Sequence, residues 1–144
     1  MSQVRDYQVS KCYAWEIQNV AQLGRALVKL ENAQAFVNHV WSGEGLQYPP
    51  QVVLMNHSDT VGATGSRLEI QVPKEVASWI LIHEIAHAMT SNIDGRSVGH
   101  RAPWVGVYIK LVCKYLGGDM LTLMHSAMRA GVDFDITAGP IFID

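Results

Sequence analysis

With 144 residues, 49% of them hydrophobic, the chain is long enough to enclose one core without disulfides or internal repeats. A formal net charge of −2 provides no overall basic field for a phosphate backbone, so nucleic acid is not indicated by charge. No run approaches the roughly 18 apolar residues of a bilayer-crossing helix, and Met1 to Tyr7 lacks the features of a secretory signal. One cytoplasmic domain over 1–144, without membrane association, is expected.

In chain order, the stretch before Leu30 is ambiguous, and Cys12 to Ile17 reads equally as strand or helix. Leu30 to Trp41 reads as a helix with Ala33, Phe36, Val37 and Val40 on its apolar face, ended by Gly43 and Gly45. Val52 to Met55 is a short apolar strand candidate, and Arg67 to Val72 a second, in which Leu68, Ile70 and Val72 alternate with polar residues. The edge of this second strand is a place where an extended peptide could add. Between the two, Asn56 to Ser66 reads as a loop bordering a cleft.

Pro73 suits a first helical turn, and Lys74 to about Thr90 follows as a helix too apolar to be anything but buried. A further helix starts near Pro103, with Trp104, Tyr108, Leu111, Val112 and Tyr115 on one face, and stops at Gly117-Gly118. Asp119 is an N-cap residue for a last helix whose stripe is Leu121, Met124, Ala127 and Met128, ending at Gly131. Ile141 to Ile143 is a short strand or a packed tail. Cys12 and Cys113 read as separate buried thiols. Strands flanking helices around a central buried helix make the expected class α+β.

The chemistry is concentrated in His83-Glu84-Ile85-Ala86-His87. Helical residues four apart share a face, so both imidazoles reach one ion while Glu84 stands beside them. Zinc suits imidazole ligands, and a position left to water makes that water acidic enough for a nearby carboxylate to deprotonate. Unpartnered, three ionisable groups within an apolar helix would carry a desolvation cost of several kcal/mol, which a metal with its water offsets.

A catalytic zinc needs a third protein ligand. Thr90 and Ile93 stand where one continuation of the motif requires Gly and His, and no glutamate follows Glu84 anywhere in the chain, which removes a second. His100, reached through the Gly- and Ser-containing segment from Ser91 to Gly99, is the preferred third ligand, with Asp94 as its rival. His125, His39 and His57 read as structural or solvent-exposed. Tyr108, Arg101 and His57 are the candidates for stabilising an oxyanion, although Tyr108 falls on an apolar helix face.

Through His83 to Thr90, Gly99 to Val105 and Val107 to Ile109, the chain resembles SprT-like zinc metallopeptidases, and most closely a bacterial and bacteriophage group of metallohydrolases in that neighbourhood. The opening from Arg5 to Glu16 is similar to that group's amino-terminal signature. The resemblance implies a minimal zincin fold, with a small sheet over the HExxH helix. It also implies zinc held by His83, His87 and His100, with Glu84 as general base. Where such families commonly place Gly after the third histidine, this sequence has Arg101, which could put a cation near the substrate. Relatives of the Spartan type act on proteins crosslinked to DNA through added nucleic-acid-binding segments. This sequence holds no Cys-rich zinc ribbon and no basic tail, so the resemblance carries the chemistry more than that substrate.

The functional expectation is a zinc-dependent hydrolase of an amide bond in a protein or peptide. The alternatives are a non-catalytic binding or regulatory module on the same scaffold, and a hydrolase of a non-peptide amide.

Overall fold

The computed structural model describes residues 6–56 and 62–144. In it the chain runs through α1 (Val9–Asn19), a 3-10 turn (Ala21–Leu23), β1 (Leu27–Lys29), α2 (Leu30–Gly43), β2 (Gln51–Leu54), β3 (Thr64–Gly65), β4 (Glu69–Val72), β5 (Glu75–Ala77), α3 (Ser78–Met89), α4 (Ala102–Leu116) and α5 (Met120–Arg129). The class is mixed α+β. The strands form two small sheets: an antiparallel pair β1–β5, and a three-stranded sheet ordered β2–β4–β3, with β2 parallel and β3 antiparallel to β4.

Helix α3 lies at the centre. Nine of its residues are buried, and it packs against α4 on one side and against strands of both sheets on the other. A helix apolar nearly all round has to be enclosed in this way, because no face of it can be left to water at small cost. Its start differs from the expectation. The helix begins at Ser78, not Lys74, because Glu75, Val76 and Ala77 pair with Lys29, Val28 and Leu27 as β5. Pro73 lies in the link between β4 and β5. The first helical amides are served by the chain before β1: Ser78 donates to the Ala26 carbonyl at 2.9 Å and Trp79 to that of Gly24 at 3.1 Å. Backbone carbonyls therefore do what a capping side chain would otherwise do.

The region before Leu30 resolves as helix, with Cys12, Trp15 and Glu16 facing the core of α1. Cys12 is buried and Cys113 half-buried, and both are free thiols. In α5 the buried face is Leu123, Ser126 and Ala127, whereas the expected Leu121 and Met128 are exposed. The helix is turned this way because the Trp15 indole donates to Ser126 Oγ at 2.9 Å, which draws a polar position inward. Asp119 caps the helix as expected, accepting from the Thr122 amide at 2.9 Å.

Two expectations about the second strand are corrected. Leu68 lies before β4 and is exposed, because the chain bends there while Arg67 turns inward between Trp41 and Phe142 and pairs with Asp144 at 2.9 Å. That contact, with Phe142 stacked on Trp41, makes the last residues a packed tail. The edge of β4 is also unavailable to a peptide, since β2 and β3 occupy both sides. The outer edge of β2 is partly closed by Gln34, which accepts from the Val52 amide and donates to the Pro50 carbonyl. Strand β3 is the remaining edge of that sheet.

Candidate metal centre

On α3, His83 and His87 stand one turn apart, and the third imidazole arrives from beyond the helix. After Thr90 the chain reverses through a bridge between Ser91 and Ser97, and Val98 returns its amide to the Thr90 carbonyl at 3.3 Å. Gly99 then takes a left-handed conformation with φ of 61°, and a side chain added there would meet the Asp6 carboxylate at 2.9 Å. His100 follows directly, just ahead of α4. This reversal brings His100 Nε2 to 3.2 Å from His87 Nε2 and 3.3 Å from His83 Nε2, while His83 and His87 are 3.1 Å apart.

Two of these rings are oriented by carboxylates. His83 Nδ1 lies 2.7 Å from Glu16 Oε2, and His100 Nδ1 lies 2.8 Å from Asp6 Oδ2. A carboxylate can only accept, so each Nδ1 carries the proton, and in the neutral imidazole each Nε2 then presents a bare lone pair to the centre. Lone pairs meeting at such distances repel unless a cation lies between them. In a tetrahedral zinc site with Zn–N bonds of about 2.0–2.1 Å, ligand nitrogens are about 3.3–3.4 Å apart. The three separations found here are within a few tenths of an ångström of that edge, so the donor set fits zinc.

Burial and neighbouring charge set the protonation states. His87 is held well below the usual histidine range, first by burial and then by the charges His83 and His100 would carry. His100 is lowered by burial, with Asp6 opposing. Burial is the largest influence on His83 too and lowers it, but its bond to Glu16 together with the charges of Glu16 and Glu84 outweighs this and raises it. Glu84 is pushed up to about 7, chiefly by burial, with His83 opposing and Glu16 adding. Its carboxylate makes no side-chain hydrogen bond among the described residues and lines a cavity of about 340 Å³ together with His83, Glu16 and Tyr13.

Several residues complete the site that the sequence reading passed over. Trp104 underlies all three imidazoles, with ring centroids 4.6 Å from His83, 4.9 Å from His87 and 4.7 Å from His100. Gln8 clamps the loop of the third ligand, donating to the His100 carbonyl at 2.8 Å and to that of Asp133 at 3.0 Å. Tyr13 stands half-exposed at the mouth, its ring 5.2 Å from that of His100 and 6.3 Å from that of His83. The signal that could have pointed to Asp6, Gln8, Tyr13 and Glu16 was their place in the stretch from Arg5 to Glu16 that resembles the metallohydrolase signature.

The rival and the alternatives fall elsewhere. Asp94 is exposed, accepting from the Arg96 amide at 3.2 Å and pairing loosely with its guanidinium. His39 and His125 are exposed and away from the centre, as expected, and His57 lies outside the described residues. Of the proposed oxyanion donors, Tyr108 is fully buried behind Trp104, with its hydroxyl raised well above the usual phenol range by burial and then by Glu16, so it cannot meet a substrate. Arg101 is half-buried and directs its Nε to the Val98 carbonyl at 2.8 Å.

Among the described residues no helix is long and apolar enough to cross a membrane. No family model, curated protein or solved structure matches the chain.

Proposed function

We propose that this protein is a zinc-dependent metallohydrolase that cleaves amide bonds of peptides or proteins, on a minimal zincin-like fold of the SprT-like kind. The observation that carries this reading is the meeting of three imidazole Nε2 atoms, each within 3.3 Å of the others, beside the cavity-facing carboxylate of Glu84. A small sheet packed over the HExxH helix supports it, as does the resemblance of the segments around His83 and His100 to that family. A purely structural zinc site closes on four protein ligands, whereas this group brings three and leaves a carboxylate at an open side.

Held by His83, His87 and His100, zinc would supply a Lewis acid and a water acidified to a pKa of about 7. The other steps fall to the chain's own residues. Glu84, next to His83 on α3 and in the cavity wall, would accept the proton of the attacking water and return it to the leaving amine. Glu16 and Asp6 keep the imidazoles in the ligating tautomer. Tyr13, a phenol protonated at neutral pH and raised further by burial and then Glu16, lines the cavity and is the candidate donor to the oxygen that gains charge.

Two measurements test this reading. Glu84→Gln is expected to retain one zinc per chain while hydrolysis of a mixed peptide pool falls by about 10²- to 10⁴-fold, the contribution of a positioned general base. Undiminished turnover would remove Glu84 from that role. Elemental analysis should find zinc depleted in His100→Ala and retained in Asp94→Ala, and the opposite pattern would exchange the two candidates.

A further inference from the structure

The cavity that opens beside Glu84 has an uneven lining. Trp79, Ile80, Ala63, Gly62 and the ring of Tyr13 make its apolar walls, His83, Glu84 and Glu16 lie together at the metal side, and among the described residues no lysine or arginine lines it. From this we infer that the cavity is the subsite for the side chain next to the scissile amide, and that it takes a large neutral apolar side chain of leucine to phenylalanine size while rejecting carboxylates. The inference deepens the hydrolase reading and rests on it for the identity of the reacting bond.

Size and charge argue for this occupant. A volume of about 340 Å³ is at the small end of ligand pockets, roughly 300–1,000 Å³, and suits one side chain rather than a folded partner. Glu84 and His83 form part of the wall, so a side chain seated in the cavity leaves its own backbone amide beside the proposed base and the first of the three imidazoles. A carboxylate seated among the apolar walls would meet Glu84 and Glu16, with no lysine or arginine among the described lining residues, and would lose its water as well. An ammonium group could pair with Glu84 or with the second oxygen of Glu16, but only by giving up its water to a lining that is otherwise apolar and in which Glu16 is almost fully buried. An apolar side chain gives up nothing on entry, and a hydrophobic pocket discriminates by roughly 10- to 200-fold per well-filled increment.

The walls offer clean variants. Among the described residues a Cβ added at Gly62 would find only Ile80 Cδ1, at 4.0 Å, so Gly62→Val puts bulk into the cavity without a clash with their backbone. The zinc-loaded protein is titrated with the N-acetyl amides of leucine, phenylalanine, aspartate and lysine, following the NMR shifts of the Trp79 indole and the Ala63 methyl. Leucine and phenylalanine amides should bind at least tenfold more tightly than the other two. Gly62→Val should weaken both at least tenfold at unchanged zinc content. Equal affinities, tighter binding of the aspartate or lysine amide, or undiminished binding by the zinc-loaded variant would overturn the subsite. This titration needs no turnover, so it separates two failures. Bonds cut in a denatured-protein digest without side-chain preference would sink the subsite and leave the hydrolase, whereas selective amide binding with no cutting would sustain the pocket's ligand class and sink the hydrolase.

Discussion

At Glu84 a single carboxyl links the site to the stability of the molecule. In metal-free protein its pKa is about 7 in the fold, against an ordinary value of 4.5. The folded state therefore holds a proton that the unfolded chain releases between these values, and stability falls as pH rises from about 4.5 to 7. Glu84→Gln removes this dependence. Compared by urea denaturation without metal, the variant should match the wild type near pH 4 and exceed it by roughly 3 kcal/mol at pH 8, from 1.36 kcal/mol per pKa unit. The burial of His87 and His100 acts in the opposite sense but is common to both proteins and cancels in the difference. A constant offset at all pH values would show that the Glu84 carboxyl is not perturbed. The same residue was legible in the sequence as the base. Its shifted acidity was not, because that comes from the burial of α3 and from Glu16, on another helix.

Among the elements, β3 is short but closely placed. A Cβ built on Gly65 would lie 2.4 Å from the Glu84 carbonyl and 2.9 Å from the Glu84 Cβ, so this strand can lie against α3 only without a side chain. Gly65→Ala should push β3 away from the helix, destabilising the protein by about 1–3 kcal/mol, the usual cost of overpacking. An unchanged melting temperature would show that the strand is free to shift. Helices α2 and α4 were readable from their apolar spacing because each buries a regular stripe. The start of α3 was misplaced because Glu75 to Ala77 are chosen as strand by their pairing with β1, some fifty residues earlier, and local propensity does not register such a partner. In α1 the difficulty was different. Its buried face contains Glu16, and a carboxylate on the inward side breaks the apolar pattern by which a helix is recognised.

For the molecule as a whole, the metal centre ties the amino-terminal segment to the rest. Asp6, Gln8 and Glu16 all hold ligand residues, so docking of α1 and occupancy of the site support each other. Zinc should raise the melting temperature of metal-free protein in a concentration-dependent way, with about 4 kcal/mol of stabilisation at a thousandfold excess over the dissociation constant. Hydrogen exchange should show the largest gain in protection in α1 and in residues 98–101. Uniform protection across α2 and α5 instead would mean that the site does not organise this segment. The sequence by itself determined the pair His83 and His87 with Glu84 between them, and the mixed class, because helical periodicity alone places residues four apart on one face. His100, already preferred to Asp94 from the sequence, is brought to the pair by its loop; only the tertiary structure decided that Glu16 and Asp6 stand behind two of the imidazoles, and that Tyr13 rather than Tyr108 faces the cavity. These choices depend on how a loop reverses and how α1 packs against α3, and contacts across more than sixty residues of chain leave no periodic mark in it.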